Sequence, residues 1–284
     1  MIIKEIAAVV AALMLLPGPS EARPANNALV DARVALETID SKGDSKQSII
    51  AAQRYLALCS KTAAPQSIAL AECRTRVAQA YTDSGLLKDA DAMLQLALPI
   101  LEKAINTNPM ALGYALSGRG YNNTKDNRWP EAEADLRRAV ALFEPLGPST
   151  DGAYAAAIQG LADVLNRGGK RAEVPTLIEK GIARTTGKPD LRTQEASLLG
   201  QSARLDLNQS RLEQAELKAR RALALMEDVV EPDSSRLLGY VQLLQDATEE
   251  AGQFSEALTL SQRMLRLAEK HNAQDNFQTA ESWG

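Results

Sequence analysis

The sequence predicts an all-α solenoid of about six antiparallel helix pairs, and three observations carry that expectation. Turn-forming residues recur at a near-constant interval: Gly43, Gly85, Asn127, Gly169, Ser210 and Gly252 stand 42, 42, 42, 41 and 42 residues apart. Small residues recur at fixed offsets from these turns. No segment of useful length alternates apolar and polar residues with the two-residue period of a half-buried strand. A self-similar period of this length marks stacked supersecondary units, each too small to bury its apolar face alone.

Composition agrees. The 284 residues are 45% apolar and 24% charged, with only 4% aromatics. Ala and Leu supply much of the apolar content, which suits closely packed helices better than a β-sandwich. The formal net charge of -4 argues against non-specific nucleic-acid binding, which needs a basic face.

The N-terminus has the layout of a secretory signal peptide, residues 1–22. Lys4 gives the positive start, Ile6 to Leu16 is an apolar run of 11 residues, and Pro17-Gly18-Pro19 breaks it. Ser20 and Ala22 place small residues at -3 and -1 of a cleavage site before Arg23. Eleven residues are too few to cross the roughly 30 Å hydrocarbon core as a helix, so no membrane insertion is expected after cleavage. The expected product is exported, to the periplasm or outside the cell.

The repeats then run near 29–70, 71–112, 113–154, 155–195, 196–237 and 238–271, in a domain spanning 23–271, with a polar tail at 272–284. Five residues after each turn stand Ser48, Ala90, Ala132, Val174, Ala215 and Ala257. Twelve after stand Tyr55, Ala97, Ala139, Gly181, Ala222 and Met264, and seven before stand Leu36, Ala78, Gly120, Ala162, Ala203 and Gln245. Small side chains there let the two helices of a pair approach closely. Tyr55 and Gln245 depart from the pattern in the outer repeats. Pro65, Pro109, Pro148, Pro189 and Pro232 mark the connectors between pairs, where proline stops one helix and opens the next.

Cys59 and Cys73 lie almost symmetrically about Pro65-Gln66, the expected turn between two antiparallel helices. In an exported protein they are expected to form a disulfide stapling the first pair to the second, rather than to remain two small buried thiols. Closing that loop would contribute about 3 kcal/mol. With no histidine or third cysteine nearby, they do not make a zinc site.

Val77, Ala78, Tyr81, Gly85, Leu87, Ala90, Leu94 and Ala97 stand in an order and spacing that resemble the tetratricopeptide repeat, and Gly120, Trp129, Ala132, Leu136 and Ala139 repeat it. The 42-residue period resembles the longer-helix subtype typified by kinesin light chains, also common in bacterial repeat proteins. The resemblance covers about residues 28–271. It implies a right-handed superhelical solenoid whose first helices line a concave groove and whose second helices form the convex back. It also implies a function: binding a protein or peptide in that groove.

Carried onto this sequence, the family's groove positions are Thr75, Gln79, Thr82 and Asp83 in the second repeat. They are Tyr114, Ser117, Tyr121, Thr124 and Lys125 in the third, and Gln159, Asp163, Asn166 and Arg167 in the fourth. Arg204 and Asn208 follow in the fifth, and Asp246, Glu249 and Glu250 in the sixth. The set is polar, rich in amides and mixed in sign. It does not reproduce the Lys/Asn/Arg set by which some members clamp a C-terminal carboxylate.

Little points to catalysis, to a cofactor or to a metal. His271, the single histidine, stands before the polar tail, where a cation suits a helix end. Gly118-Arg119-Gly120 sits in register with the close-packing positions, and Arg167-Gly168-Gly169-Lys170 at an inter-helix turn; neither follows a strand as a phosphate loop would. The carboxylate pairs Asp89/Asp91 and Glu249/Glu250, and the charges Glu131, Glu133, Arg137, Arg138 and 213–221, are expected on solvated helix faces, paired three or four residues apart. Trp129 is expected to pack between helix pairs. The sequence therefore points to a non-catalytic scaffold or adaptor of the cell envelope. Two rivals stay open: a small-molecule-sensing or enzymatic groove, signalled by shifted carboxylates near Asp163 or Asp246, and a self-associating structural protein, signalled by an apolar patch on an end repeat. Mass analysis of exported, unreduced protein is expected to give an N-terminus at Arg23 and two fewer protons than the dithiol.

Overall fold

A computed structural model describes residues 25–42 and 45–281. The leader, Gly43 and Trp283 lie outside them, as do the side chains of His271 and Phe277. Twelve α-helices follow one another: α1 Ala25–Lys42, α2 Ser45–Thr62, α3 Ile68–Asp83, α4 Leu87–Lys103, α5 Pro109–Lys125, α6 Trp129–Phe143, α7 Asp151–Arg167, α8 Val174–Thr185, α9 Arg192–Leu207, α10 Leu212–Glu227, α11 Leu238–Glu250 and α12 Phe254–Glu281. Among the described residues there is no strand. Each helix packs on the next, forming six antiparallel pairs. The first five pairs open three or four residues ahead of the repeat boundaries read from sequence, and α12 runs on through most of the polar tail.

Within five pairs the turn is made by one residue in the left-handed region: Gly85 (φ 78°), Asn127 (60°), Gly169 (77°), Ser210 (56°) and Gly252 (75°). Each is followed by an N–H that reaches back five residues to a carbonyl of the first helix. These bonds run from Leu86 to Tyr81 (2.8 Å), Arg128 to Asn123 (2.8 Å), Lys170 to Leu165 (2.9 Å), Arg211 to Asp206 (2.9 Å) and Gln253 to Thr248 (2.8 Å). This Schellman arrangement satisfies carbonyls that the helix end would otherwise orphan and turns the chain back on itself. Starts are fixed as locally: Asn108 Oδ1 accepts from the Ala111 N–H at 3.1 Å while Pro109 opens α5, and Ser67 Oγ caps α3 through Leu70.

The small residues do what their spacing implies. Ala90, Ala97, Ala132, Ala139, Ala162, Ala203, Ala215 and Ala222 are all fully buried. A Cβ on Gly120 would stand 2.7 Å from Leu136 Cγ, and one on Gly181 would stand 2.7 Å from Leu198 Cδ1, so neither site has room for a methyl group without repacking. The Cys59–Cys73 disulfide joins α2 to α3, with the two Cα atoms 6.4 Å apart, across the turn at Pro65-Gln66. Tyr55 replaces a small residue because its hydroxyl lies 3.4 Å from Cys73 Sγ: the larger ring packs beside the staple.

Buried charge also clasps the fourth pair, where Asp151 of α7 accepts from Arg184 of α8 at 2.5 Å and from Lys188, and at one recurrent place it clasps two others. In the third, Asp135 of α6 accepts from Arg119 of α5 at 2.7 Å on both oxygens and from Asn123 at 3.2 Å. In the fifth, the polarity is reversed: Asp206 lies on the first helix, α9, and Lys218 on the second, α10, at 2.5 Å, with Arg211 on its other oxygen. The equivalent places in the second pair are Val77, Tyr81 and Met93, and in the fourth Leu161, Leu165 and Leu177; these side chains belong to the apolar core.

The back of the solenoid corrects an expectation. Pairs at i,i+4 do occur, as in Glu133–Arg137 and Glu216–Arg220. The recurrent spacing, however, is one repeat. Arg138–Glu102, Lys180–Glu144 and Arg263–Glu227 reach back 36 residues, and Arg137–Glu173 and Arg220–Glu256 reach forward 36. Asp91–Arg128, Glu133–Lys170 and Glu216–Gln253 span 37. Asp91, expected to be solvated, is half-buried and also accepts from Asn122. Each exposed pair contributes little alone, but the series ties every inner second helix to a neighbour.

Gly169→Ala is expected to destabilise the protein by about 1–2 kcal/mol, since an L-residue in the left-handed region costs that much. Ser210→Gly is expected to stabilise it by up to about 1 kcal/mol by removing the same strain. Urea unfolding midpoints at constant slope check both.

Candidate groove on the concave face

The curvature follows from which helices touch. First helices of successive pairs pack directly on one another, α3 on α5, α5 on α7, α7 on α9 and α9 on α11, whereas the second helices make no comparable contact among themselves. The first helices therefore lie on the inside of the curve. The long Arg and Lys side chains of the ladder span the wider gaps on the outside.

Along α5, Tyr114, Ser117 and Tyr121 fall at helical spacing on one side, with Tyr114 45% and Tyr121 39% exposed. Each tyrosine is braced rather than loose. Tyr114 meets Phe143 edge to face at 5.3 Å between centroids, and the Lys125 ammonium lies over Tyr121 at 5.2 Å. Between them the Ser117 Oγ is buried without a hydrogen-bond partner in the protein. Further along, Gln201 Nε2 donates to the Gln159 carbonyl at 3.3 Å, leaving Gln201 Oε1, and likewise Gln194 Oε1, without a protein partner. Neither Gln194 nor Gln201 was among the positions carried over from the family pattern; their amide type on a first helix was the signal available.

Not every expected groove residue points free. Gln79 donates to Asp83 at 3.0 Å. Arg167 donates to Asp163 at 3.1 Å and stacks over the Trp129 ring at 5.3 Å, tying the end of α7 to the start of α6. Trp129 packs against the core between pairs. Thr124 returns its hydroxyl to the Gly120 carbonyl at 2.9 Å. The Asn166 backbone carbonyl accepts from Arg171 at 3.4 Å.

The fifth and sixth pairs bring together what the sequence had placed on separate repeats. Arg204 and Leu207 of α9, Asn208 just after it, and Leu243, Asp246, Glu249 and Glu250 of α11 line one recess of about 530 Å³. Burial raises the Asp246 carboxyl above its ordinary range; Arg204 pulls it down and Glu249 adds to the rise. Among the described residues no three His, Cys, Asp or Glu side chains are placed to hold a metal ion, and no helix is long and apolar enough to cross a membrane.

These features define a tetratricopeptide-repeat-like solenoid, and comparison with solved structures agrees. The chain is similar to BtubC (BKLC) from P. vanneervenii, with a TM-score of 0.60 at 16% identity, over 88% of this chain and 93% of that one. It is similar to pilF from Pseudomonas aeruginosa, with a TM-score of 0.55 at 15% identity, over 91% and 100%. It also resembles aspartyl phosphate phosphatase F from Bacillus subtilis, with a TM-score of 0.57 at 17% identity, but spans only 60% of that chain. At such identities the likeness is one of fold. No protein-family model and no curated protein sequence matches the chain.

Because Asp246 is raised in the folded state, its contribution to stability is fully present below its unfolded value and is lost as pH rises through the folded one. Asp246→Asn is therefore expected to raise the thermal midpoint at pH 7 and to change it little at pH 3. Carboxyl NMR should show Asp246 titrating higher still in Arg204→Ala and lower in Glu249→Gln.

Proposed function

We propose that the protein is an exported, non-catalytic scaffold that holds an extended segment of another protein along its concave groove. The observation that supports this most is the α5 face. Two braced, partly exposed tyrosines, Tyr114 and Tyr121, stand on one side of this helix. Rigid tyrosines supply an extended peptide with contact area at low entropic cost. At the far end the recess sets three carboxylates against one guanidinium, so a basic side chain of the bound segment suits it. Export is supported by the leader pattern and by a disulfide that an oxidising compartment would maintain.

One observation favours a second reading. Asp246, raised by burial in a recess, is the kind of group a small-molecule or catalytic site uses. The recess is open on its solvent side, and general acid-base work needs a closed, dry site, which weighs toward peptide binding.

Capture of partners from envelope extract by immobilised protein tests the proposal. Tyr114→Ala together with Tyr121→Ala is expected to reduce capture by at least about tenfold, since aromatic anchors dominate binding energies. Equal capture by the double variant would show that the groove is not the binding surface. Loss of capture in Asp246→Asn alone, with displacement by a small anionic or cationic metabolite, would favour the second reading.

A further inference from the structure

Two features that run along the solenoid fail at the same junction. The first is the apolar core. One cluster of buried side chains extends from Ala32 of α1 to Ile178 of α8 and takes in Leu198 of α9. A second gathers Ala196, Leu199 and Ala203 of α9 with residues of α10, α11 and α12. The division falls on α9, which gives side chains to each cluster, and the partly buried Ile182 of α8 packs against both. Polar groups are buried beside it. Thr185 is fully buried, and Glu195, 2% exposed, accepts from Thr186 at 3.3 Å and from Arg221.

The second is the ladder on the back. Its rungs are of three kinds, each fixed by distance from the turn. The acid six residues after a turn reaches the residue just after the next turn, as in Asp91–Arg128, Glu133–Lys170 and Glu216–Gln253. The arginine ten after a turn reaches a glutamate four after the next, as in Arg137–Glu173 and Arg220–Glu256. The cation eleven after a turn reaches back to a glutamate seventeen after the previous one, as in Arg138–Glu102, Lys180–Glu144 and Arg263–Glu227. Between α8 and α10 the same three places hold Pro175 and Arg211, Glu179 and Gln214, and Thr186 and Arg221. Among the described residues none of these three couples is joined. Arg211 turns to Asp206 and Arg221 to Glu195, both within the fifth pair. The disulfide ties a different junction, the first.

We infer that the solenoid is two stiff blocks, pairs one to four and pairs five and six, joined by a hinge between α8 and α9. A unit with its own core moves against its neighbour unless a large apolar interface or fixed ties hold it. On the inside the blocks stay in touch: α7 packs on α9, Leu198 lies over Gly181, and Gln201 donates to the Gln159 carbonyl. On the back, no rung ties α8 to α10 among the described residues. The motion this allows is a bend that pivots on α7 and α9 and opens or closes the back. The tyrosines of α5 belong to one block and the recess of α9 and α11 to the other. Bending swings one toward or away from the other, so the hinge sets the curvature of the groove whatever occupies it.

Spin-label distance measurements on the mature, disulfide-bonded chain test this, with circular dichroism as the check on folding. The residue seven after the turn is exposed on four successive second helices, as Ala92, Ala134, Thr176 and Leu217. Cys59 and Cys73 are occupied by their disulfide, so introduced cysteines take the labels. Labels on Ala92→Cys with Thr176→Cys span two junctions inside the first block. Labels on Ala134→Cys with Leu217→Cys span two junctions, of which one is the hinge. The second couple is expected to give the broader distance distribution. Pro175→Glu with Gln214→Arg grafts two rungs onto the hinge, to Arg211 and Glu179. The graft is expected to narrow the second couple to the breadth of the first and to leave the first unchanged. Equal breadth in the two couples before the graft would overturn the inference. Breadth that the graft leaves unchanged, or narrows in both couples alike, would overturn it too.

Discussion

The left-handed residue that ends each first helix is the constraint on which the stacking depends. At Gly85, Asn127, Gly169, Ser210 and Gly252 one backbone conformation stops the helix, aims an N–H at a carbonyl five residues back and reverses the chain. Because that geometry is the same each time, residues at a given distance from the turn land in the same place each time. Alanine and glycine then meet alanine and leucine across the pair, and the second helix is set at an angle that the next pair can copy. The groove and the ladder on the back inherit their spacing from this single torsion.

Local chemistry is what made most of the fold legible. A glycine or asparagine that tolerates positive φ announces itself in the sequence, and so do small residues at a fixed distance from it. The departures also had local causes once side chains were placed: Tyr55 packs on the disulfide, and the half-buried Gln245 hydrogen-bonds Glu249 on its own helix. The ladder was not legible by the same route. Glu102 and Arg138 are unremarkable within their own helices and meet only when two pairs are stacked, so a search for partners three or four residues away passes over them. The groove was legible in outline and less so in detail. Arg204, Asn208, Asp246, Glu249 and Glu250 were placed on the right helices, but their convergence on one recess depends on how α9 and α11 stack. Arg167 shows the converse: its position suggested the groove, while Trp129 and Asp163 offered it nearer partners.

Periodicity of this kind distributes stability along the chain. Each pair touches mainly its neighbours, so strengthening one turn or one ionic rung acts on two interfaces and not on the whole. The disulfide ties the first described pair, which has one neighbouring pair among the described residues, to the second. The long α12 at the other end carries no such staple.

The reversed charge clasps have a bearing on how the chain finds its structure. Twelve similar helices could pair in many wrong combinations, a known hazard of repeat proteins. If α5 met α10, Arg119 would face Lys218; if α9 met α6, Asp206 would face Asp135. If α7 took the place of α5 as the first-helix partner of α6, the Asp135 carboxylate would be shut against Leu161 and Leu165 with no cation. Each error leaves a buried charge unpaired or opposed, which costs several kcal/mol. The alternation of ionic and apolar side chains at this one place thus works as an address on each helix, and its value lies less in holding the finished solenoid together than in rejecting the mispaired ones.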